Sequence, residues 1–418
     1  MHIADNKMPE QTEFDLVLLG ATGFTGQLVA EYLLQRHGVG DAFKWALAGR
    51  SQAKLEQVRA GLGEGAKDLP LLVADSHDRT SLDALVTRTR AVCSTVGPYA
   101  LHGSDLVAAC AASGTDYCDL TGEVPWMRKM LDAHASTAQA SGARLVHCCG
   151  FDSIPSDLGV WFLQQQAQVK LGKYMTRVRL GVQALKGKMS GGTAASMLNI
   201  IESSRSDPEV SRIVKNPYAI CPEEYRKGPR QPYVSGPKFD DSLGAWTAPF
   251  VMAAINTRIV HRSHALQGRP WGDDFTYDEA MLTGKGFKGR RQATTWSLAL
   301  GGFAMGASFG PTRRLLQNRF LPKPGEGPSK GARERGFFKL LLVGSDEEGN
   351  EIRVRVSGDR DPGYGSTAKM LGEAAFTLAT DVPDEQTAGG FWTPSTAMAE
   401  QLMPRLTEHA GLTFEVLD

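Results

Sequence analysis

Between residues 14 and 150, six short apolar runs alternate with segments of helical periodicity. Strands are expected at 14–19, 44–48, 70–74, 91–96, 116–120 and 144–149. Helices fall between them at 27–36, 53–62, 80–89, 106–113 and 125–141. This alternation admits few folds. Successive strands joined by a helix run parallel, and a parallel sheet has to be covered on both faces. Right-handed crossovers then wind it into a doubly wound α/β sheet of the Rossmann type.

The texture changes after Gly150. Segments 178–185, 339–343 and 351–357 read as strands, the last (EIRVRVS) with one apolar and one charged face. That pattern suits an antiparallel sheet with a solvated side. A helix is expected over 366–380, with Met370, Leu371, Ala374, Ala375 and Leu378 on one side. The expected organisation is an N-terminal tail (1–13), a Rossmann domain (14–150), a mixed α+β domain with a largely antiparallel sheet (151–365) and a C-terminal segment (366–418).

Composition narrows the function classes. Lys plus Arg balance Asp plus Glu at 46 each, so no global charge directs the chain to nucleic acid. The six cysteines (Cys93, Cys110, Cys118, Cys148, Cys149, Cys221) include no CxxC pair, which points to a reduced, cytoplasmic setting rather than a disulfide scaffold. The first dozen residues carry no hydrophobic targeting core. The longest apolar-rich stretch, Trp296 to Phe309 (WSLALGGFAMGASF), falls short of the ~20 residues of a bilayer crossing. His147-Cys148-Cys149 alternates on a buried strand and reads as core rather than metal site. The Ser-x-x-Lys pairs Ser51–Lys54 and Ser366–Lys369 lack partner motifs, and Gly187-Lys188 leads into Met189 without completing a nucleoside-triphosphate loop.

The strongest chemical signal is Gly20-Ala21-Thr22-Gly23-Phe24-Thr25-Gly26. It leaves an apolar strand and opens a helix, the context of a dinucleotide fingerprint. Glycines allow a tight turn and close backbone approach to a pyrophosphate, which the helix N-terminus attracts. The second strand runs out into Gly49-Arg50-Ser51, with Lys54 a turn later. An NAD enzyme places a carboxylate there for the ribose 2′-hydroxyl; here Arg50 offers a planar fork to a 2′-phosphate, with Ser51 and Lys54 adding donors. NADP(H) is the expected cofactor. Asp75, at the third strand tip, faces the adenine or caps the next helix.

The segments GATGFTG (20–26), ALAGRS (46–51), STVGPYALHG (94–103), YCDLTGE (117–123) and GFDSIPSDLG (150–159) occur in this order, followed by GPSKGARERG (327–336), DPGYGSTAKMLGEAA (361–375) and GGFWTP (389–394). Together they resemble the saccharopine dehydrogenase-like oxidoreductases, and within them the trans-acting enoyl reductases. The resemblance implies a cleft between the two domains that holds the nicotinamide, with Gly97, Pro98 and Tyr99 bracketing its ribose and the C-terminal segment packing back near the first domain.

Candidate groups near the strand ends are Tyr99, His102, Asp119, Glu123, Asp152 and Ser153, of which Tyr99, Asp152 and Ser153 are the catalytic candidates. Tyr99 is read either as a proton donor or ribose ligand or as an aromatic wall; one of Asp152 and Ser153 is read as a helix cap. From Lys285 to Lys339 there are 12 Lys/Arg against Glu326 and Glu334, around the apolar run 296–309. This basic, apolar region suits an anionic membrane surface, an acyl carrier protein, a second subunit in a homodimer, or a buried element flanked by charge. The expected function is NADPH-dependent reduction of the double bond of an acyl or polyketide-type substrate, small or carrier-bound. A saccharopine-type C–N oxidoreductase and a membrane-associated NADP-binding protein without turnover are the alternatives.

Overall fold

The structure is a computed structural model that describes residues 12–187, 190–313, 327–383 and 385–417. The first sheet takes its strands in the order β13-β6-β5-β4-β1-β2-β3, all parallel. These are β1 (Phe14–Leu19), β2 (Trp45–Gly49), β3 (Leu71–Val73), β4 (Thr89–Ser94), β5 (Asp116–Asp119), β6 (Arg144–Val146) and, from far along the chain, β13 (Gly390–Trp392). Its helices are α1 (Phe24–His37), α2 (Gln52–Gly61), α3 (Arg79–Val86), the single turn α4 (Tyr99–His102), α5 (Ser104–Ser113) and α6 (Val124–Ser141). Leu16, Val17, Leu18, Ala46, Leu47, Val92 and Cys93 are fully buried, as a sheet covered on both faces requires.

The second sheet has the order β14-β12-β11-β7-β10-β9-β8 and is antiparallel except for the parallel pair β10 with β7. Its strands are β7 (Arg177–Lys186), β8 (Lys238–Asp240), β9 (Ala245–Pro249), β10 (Thr276–Gly284), β11 (Phe337–Ser345), β12 (Glu351–Gly358) and β14 (Leu412–Leu417). Along β12, Ile352, Val354 and Val356 are buried while Arg353 and Arg355 are half-buried, the alternation expected of a one-sided sheet. Helix α7 (Ile154–Leu171) lies on the buried face. A Cβ at Gly159 would meet Val356 at 3.1 Å and Leu342 at 3.2 Å, so glycine sets how closely the helix approaches.

Four more helices frame the space between the sheets: α8 (Gly191–Ser206), α9 (Pro208–Lys215), α10 (Ala253–Leu266) and α11 (Gly286–Ser308). The helix Thr367–Thr380 packs on α1, where the Tyr32 ring fills the side-chain space that Gly372 leaves open. Buried Glu373 on that helix accepts from the Tyr32 hydroxyl and pairs with Arg36 and Arg405. Helix Pro394–Glu408 then leads to β14. The architecture is thus an all-parallel Rossmann-like sheet joined to a mixed, largely antiparallel one. Arg314 and Arg319, which the sequence places in the basic region, and residues 1–11 of the tail lie outside the described residues.

Candidate functional site

A cavity of about 630 Å³ opens at the carboxyl ends of β1, β2, β3 and β4 and is closed by α8, α10 and Tyr364. The turn after β1 forms its floor. Gly20 adopts φ +91°, which favours glycine, and a Cβ at Gly26 would stand 2.2 Å from the Gly20 carbonyl. The two glycines therefore let the turn and the first coil of α1 lie against each other. No side chain caps the N-terminus of α1 at Gly23, so its leading amides remain available to an anion. Phe24 meets Tyr364 edge-on, ring centroids 5.0 Å apart, and links this turn to the far wall.

Of the residues expected at the site, Gly20, Thr22, Gly23, Phe24, Thr25, Arg50, Gly97, Pro98, Tyr99 and Asp152 line this one cavity, and so does His102. Gly26, Ser51, Lys54, Asp75 and Ser153 stand behind it. Ser51 caps α2 by accepting from the Lys54 amide at 3.4 Å, and the Lys54 side chain is exposed. Asp75 accepts from the His77 amide at 3.0 Å, which holds its carboxyl below the usual range. The Ser153 hydroxyl is buried, against its own neighbour's carbonyl and 3.2 Å from Asn256 Oδ1.

Tyr99 is buried, and its hydroxyl is engaged at both ends. It donates to Ser94 O at 2.9 Å and accepts from the Leu120 amide at 3.4 Å. Burial raises its pKa well above the usual value. The ring, tilted against Trp126, forms wall rather than offering a proton. Below it, buried Glu123 accepts from the amides of Tyr99 (2.8 Å) and Ala100 (3.0 Å) and from the Ser196 hydroxyl (2.7 Å), so a carboxylate sits on the N-terminus of α4 and ties it to α8. Asp119 is also structural in its contacts, pairing with His147 at 2.8 Å and with the Tyr117 hydroxyl at 2.9 Å.

Asp152 differs from these. It lines the cavity where the first domain meets α10, and desolvation pushes its carboxyl up to about 7. A carboxyl with that value holds a proton near neutral pH and can give it up.

Several lining residues escaped the sequence reading. Ser190, Gly191, Gly192 and Thr193 begin α8, with Ser190 capping Thr193 at 2.9 Å, and Met197, Ile200 and Ile201 continue its face into the cavity. Val214, Val251, Met252, Ile255 and Arg258 complete an apolar half opposite the glycine turn. At the rim, His77 Nε2 lies 3.0 Å from His102 Nδ1. Ser-Gly-Gly-Thr ahead of an apolar periodicity was a usable signal for the helix start; nothing local marked the rest.

Residues 16–146 match the saccharopine dehydrogenase NADP binding domain. Over 416 residues the chain is 42% identical to a candidate trans-acting enoyl reductase of Mycobacterium tuberculosis, covering 96% of this chain and 97% of that one. The chain belongs to the saccharopine dehydrogenase-like family, among the trans-acting enoyl reductases. The relative from Mycobacterium leprae, named a trans-acting enoyl reductase, is 37% identical over 407 residues, covering 95% of this chain and 96% of that one. In fold the chain resembles saccharopine dehydrogenase (L-Glu forming) from Saccharomyces cerevisiae, with a TM-score of 0.51 and 13% identity over 96% of this chain and 99% of the other. The protein is therefore an NADP(H)-binding oxidoreductase. The lining is chemically suited to that cofactor: the glycine turn leaves the amides at the start of α1 uncapped, as an anion requires, and Arg50 rather than a carboxylate follows β2.

Proposed function

We propose that the protein is an NADPH-dependent enoyl reductase that saturates the double bond of an acyl or polyketide-type lipid substrate presented as a thioester. One observation carries this reading: a single cavity joins the glycine turn and Arg50 to an apolar chamber of Met197, Ile200, Ile201, Val214, Val251, Met252 and Ile255, and Asp152 lies on its wall. NADPH, when bound, supplies the hydride. The chain's own residues position and protonate. Turn 20–25 and the first amides of α1 hold the pyrophosphate, Arg50 pairs with the 2′-phosphate, Gly97, Pro98 and Tyr99 wall the nicotinamide ribose, and the apolar chamber excludes water from the acyl chain. Asp152, protonated near neutral pH, gives its proton to the carbon next to the carbonyl.

Exposed α11 supports a peripheral contact with an anionic membrane. Phe287 (80%), Leu298 (71%), Met305 (65%) and Phe309 (57%) are open to solvent, beside Lys285, Lys288, Arg290 and Arg291. Among the described residues no helix is long and apolar enough to cross a membrane, so this contact is with the surface. Five residues past the C-terminal end of α11, Arg313 pairs with Glu202 of α8 at 2.7 Å, which connects the segment after the exposed helix to the helix that walls the cavity.

The assay follows NADPH consumption at 340 nm with a panel of enoyl thioesters, alongside amino acids and 2-oxo acids. Turnover restricted to enoyl thioesters supports the reading. The acid arm matters because Asp152 and Arg258 would also match the ammonium and carboxylate of an amino acid, which keeps C–N oxidoreduction as the second reading. No turnover with either class leaves an NADP-binding protein alone.

A further inference from the structure

Among the described residues that form the apolar half of the cavity opposite the glycine turn, Arg258 is the charged one, and the enoyl-reductase reading gives it no task. It stands on α10 beside Val214 and Ile255. Its Nη1 donates to Ala254 O at 2.5 Å and its Nη2 donates to Val214 O, which fixes the guanidinium between α9 and α10. Its Nε is buried without a partner. Among the described residues no carboxylate forms an ion pair with it. Burial lowers its pKa to about 10, which leaves it a cation at neutral pH. A cation held in a largely apolar wall without a counter-charge is costly unless an anion completes it. Its two backbone anchors leave the rest of the fork in a preset geometry, which suits a planar oxygen acceptor.

Gly122 shows that the acid and α10 border one gap. A Cβ there would lie 3.9 Å from an Asp152 carboxyl oxygen and 4.0 Å from Ile255 Cγ2. Ile255 and Arg258 are three residues apart on α10 and so share a face. A small substrate head in this gap therefore lies between the Asp152 carboxyl and the helix face that carries the guanidinium.

We propose that Arg258 is the oxyanion subsite of the substrate chamber, holding the thioester carbonyl oxygen while Asp152 protonates the neighbouring carbon. The proposal deepens the enoyl-reductase reading and rests on it. As hydride from NADPH bonds to the β-carbon, leaving NADP⁺, the C=C electron pair shifts to the α-carbon and carbonyl, and the oxygen takes the negative charge. That electron pair then takes the Asp152 proton at the α-carbon, the carbonyl reforms and Asp152 is left as carboxylate. A guanidinium aimed at that oxygen interacts more strongly as the charge develops, so its contribution falls on the chemical step rather than on binding.

An anionic oxygen has a second source, a carboxylate that the substrate itself carries, and two probes separate the two. One is trans-2-octenoyl N-acetylcysteamine, neutral at rest; the other is trans-2-octenoate. With the intact protein and NADPH, R258Q is expected to lower kcat for the thioester on the order of a hundredfold. KM should move by less than about threefold, the signature of an interaction made in the transition state. R258K, which keeps the charge without the fork, should recover part of that loss. NADPH binding by fluorescence titration should match wild type in both, as the hydrogen bonds of Arg258 run to α9 and α10 and not to the glycine turn. If instead octenoate affinity for the NADP⁺ complex falls about tenfold or more by calorimetry while thioester kcat holds, the subsite serves a substrate carboxylate and the carbonyl assignment is overturned. If neither quantity moves by more than about twofold in a folded R258Q, Arg258 is only a strut between α9 and α10. The octenoate titration needs no turnover. A wild type that binds octenoate through Arg258 yet reduces no enoyl probe would sink the enoyl-reductase reading while retaining an anion subsite.

Discussion

At the level of single side chains, the cavity sets the glycine turn and Arg50 at one side and the apolar chamber at the other, with Asp152 on the wall. Arg50 stands exposed just after β2; the His77 amide, and with it the Arg50 charge, holds the nearby Asp75 carboxyl below the usual range. Arg50→Asp should weaken NADPH by on the order of 2 kcal/mol, the range of a charged hydrogen bond, and leave NADH nearly unchanged; equal losses in parallel titrations would show that Arg50 does not read the 2′-phosphate. Gly26→Ala forces a Cβ to within 2.2 Å of Gly20 O. It should cost about 1–3 kcal/mol of stability and loosen NADPH binding, because the turn itself must shift. Tyr99→Phe removes the bond to Ser94 O. A loss of about 1 kcal/mol in chemical denaturation with kcat retained is expected of a wall residue; a large fall in kcat would make Tyr99 a proton donor after all. Asp152 has its pKa raised to about 7. As a general acid it works in its protonated form, so the rate should be flat below that value and fall as pH rises through it, and Asp152→Asn should remove this limb with the activity. The stability sign follows from the same shift. Protonation favours the folded state, that contribution is full below the unfolded carboxylate value near ~4 and is lost as pH rises toward 7. Asp152→Asn should therefore melt higher than wild type at pH 8 and lose that advantage near pH 4.

Among the elements, α11 makes the most exposed claim. Only Gly289, Ala293 and Ala307 of this helix are buried. Leu298→Glu with Met305→Glu should abolish sedimentation with anionic vesicles, and reversal of Lys288, Arg290 and Arg291 should weaken it more at low salt than at high salt, where screening already reduces the attraction. Unchanged sedimentation with a concentration-dependent mass in solution would assign the helix to a second copy of the chain. The sequence made parts of this legible and others not. The first six strands could be read because each apolar run ends at a local turn signal, whereas the exposure of run 296–309 could not be separated from a buried element flanked by charge. Strand β13 could not: three residues between Gly389 and Thr393 carry no periodicity, and its pairing with β6 is made by residues some 240 positions apart, Phe391 with Leu145. Arg258 was equally hidden, since Ile255, Ile259 and Arg262 give α10 an ordinary buried face and no spacing distinguishes an unpaired guanidinium from a surface one. Asp152 was visible as a candidate, but its separation from Ser153 in role depends on which of the two faces the cavity, and only the fold decides that.

For the molecule as a whole, the order in which the chain visits its two sheets has a mechanical consequence. It completes β1 to β6 in the first, builds β7 to β12 in the second, returns with the helix Thr367–Thr380 and β13, and leaves again to place β14. The returns are anchored by buried contacts. Phe151 N donates to the Thr367 hydroxyl at 3.0 Å, the Ser395 amide donates to Asp157 at 2.8 Å, and Arg262 of α10 reaches the Phe391 carbonyl at 2.6 Å. A pair of lobes joined by one linker can swing apart around it; a chain that crosses between the lobes three times, with buried bonds at the returns, is more restrained. Access to the cavity then has to come from local opening of its lid, and α8 is the part so placed, held by the Ser196 bond to Glu123 and the Gly191 bond to Tyr364 at 3.0 Å. Saturating NADPH should leave the radius of gyration in solution scattering within about 1 Å of the unliganded value while amide exchange in residues 190–206 slows sharply. A marked compaction on binding would show that the lacing yields. On the proposed function, catalytic throughput is then set by how often one helix lifts rather than by how far two domains travel.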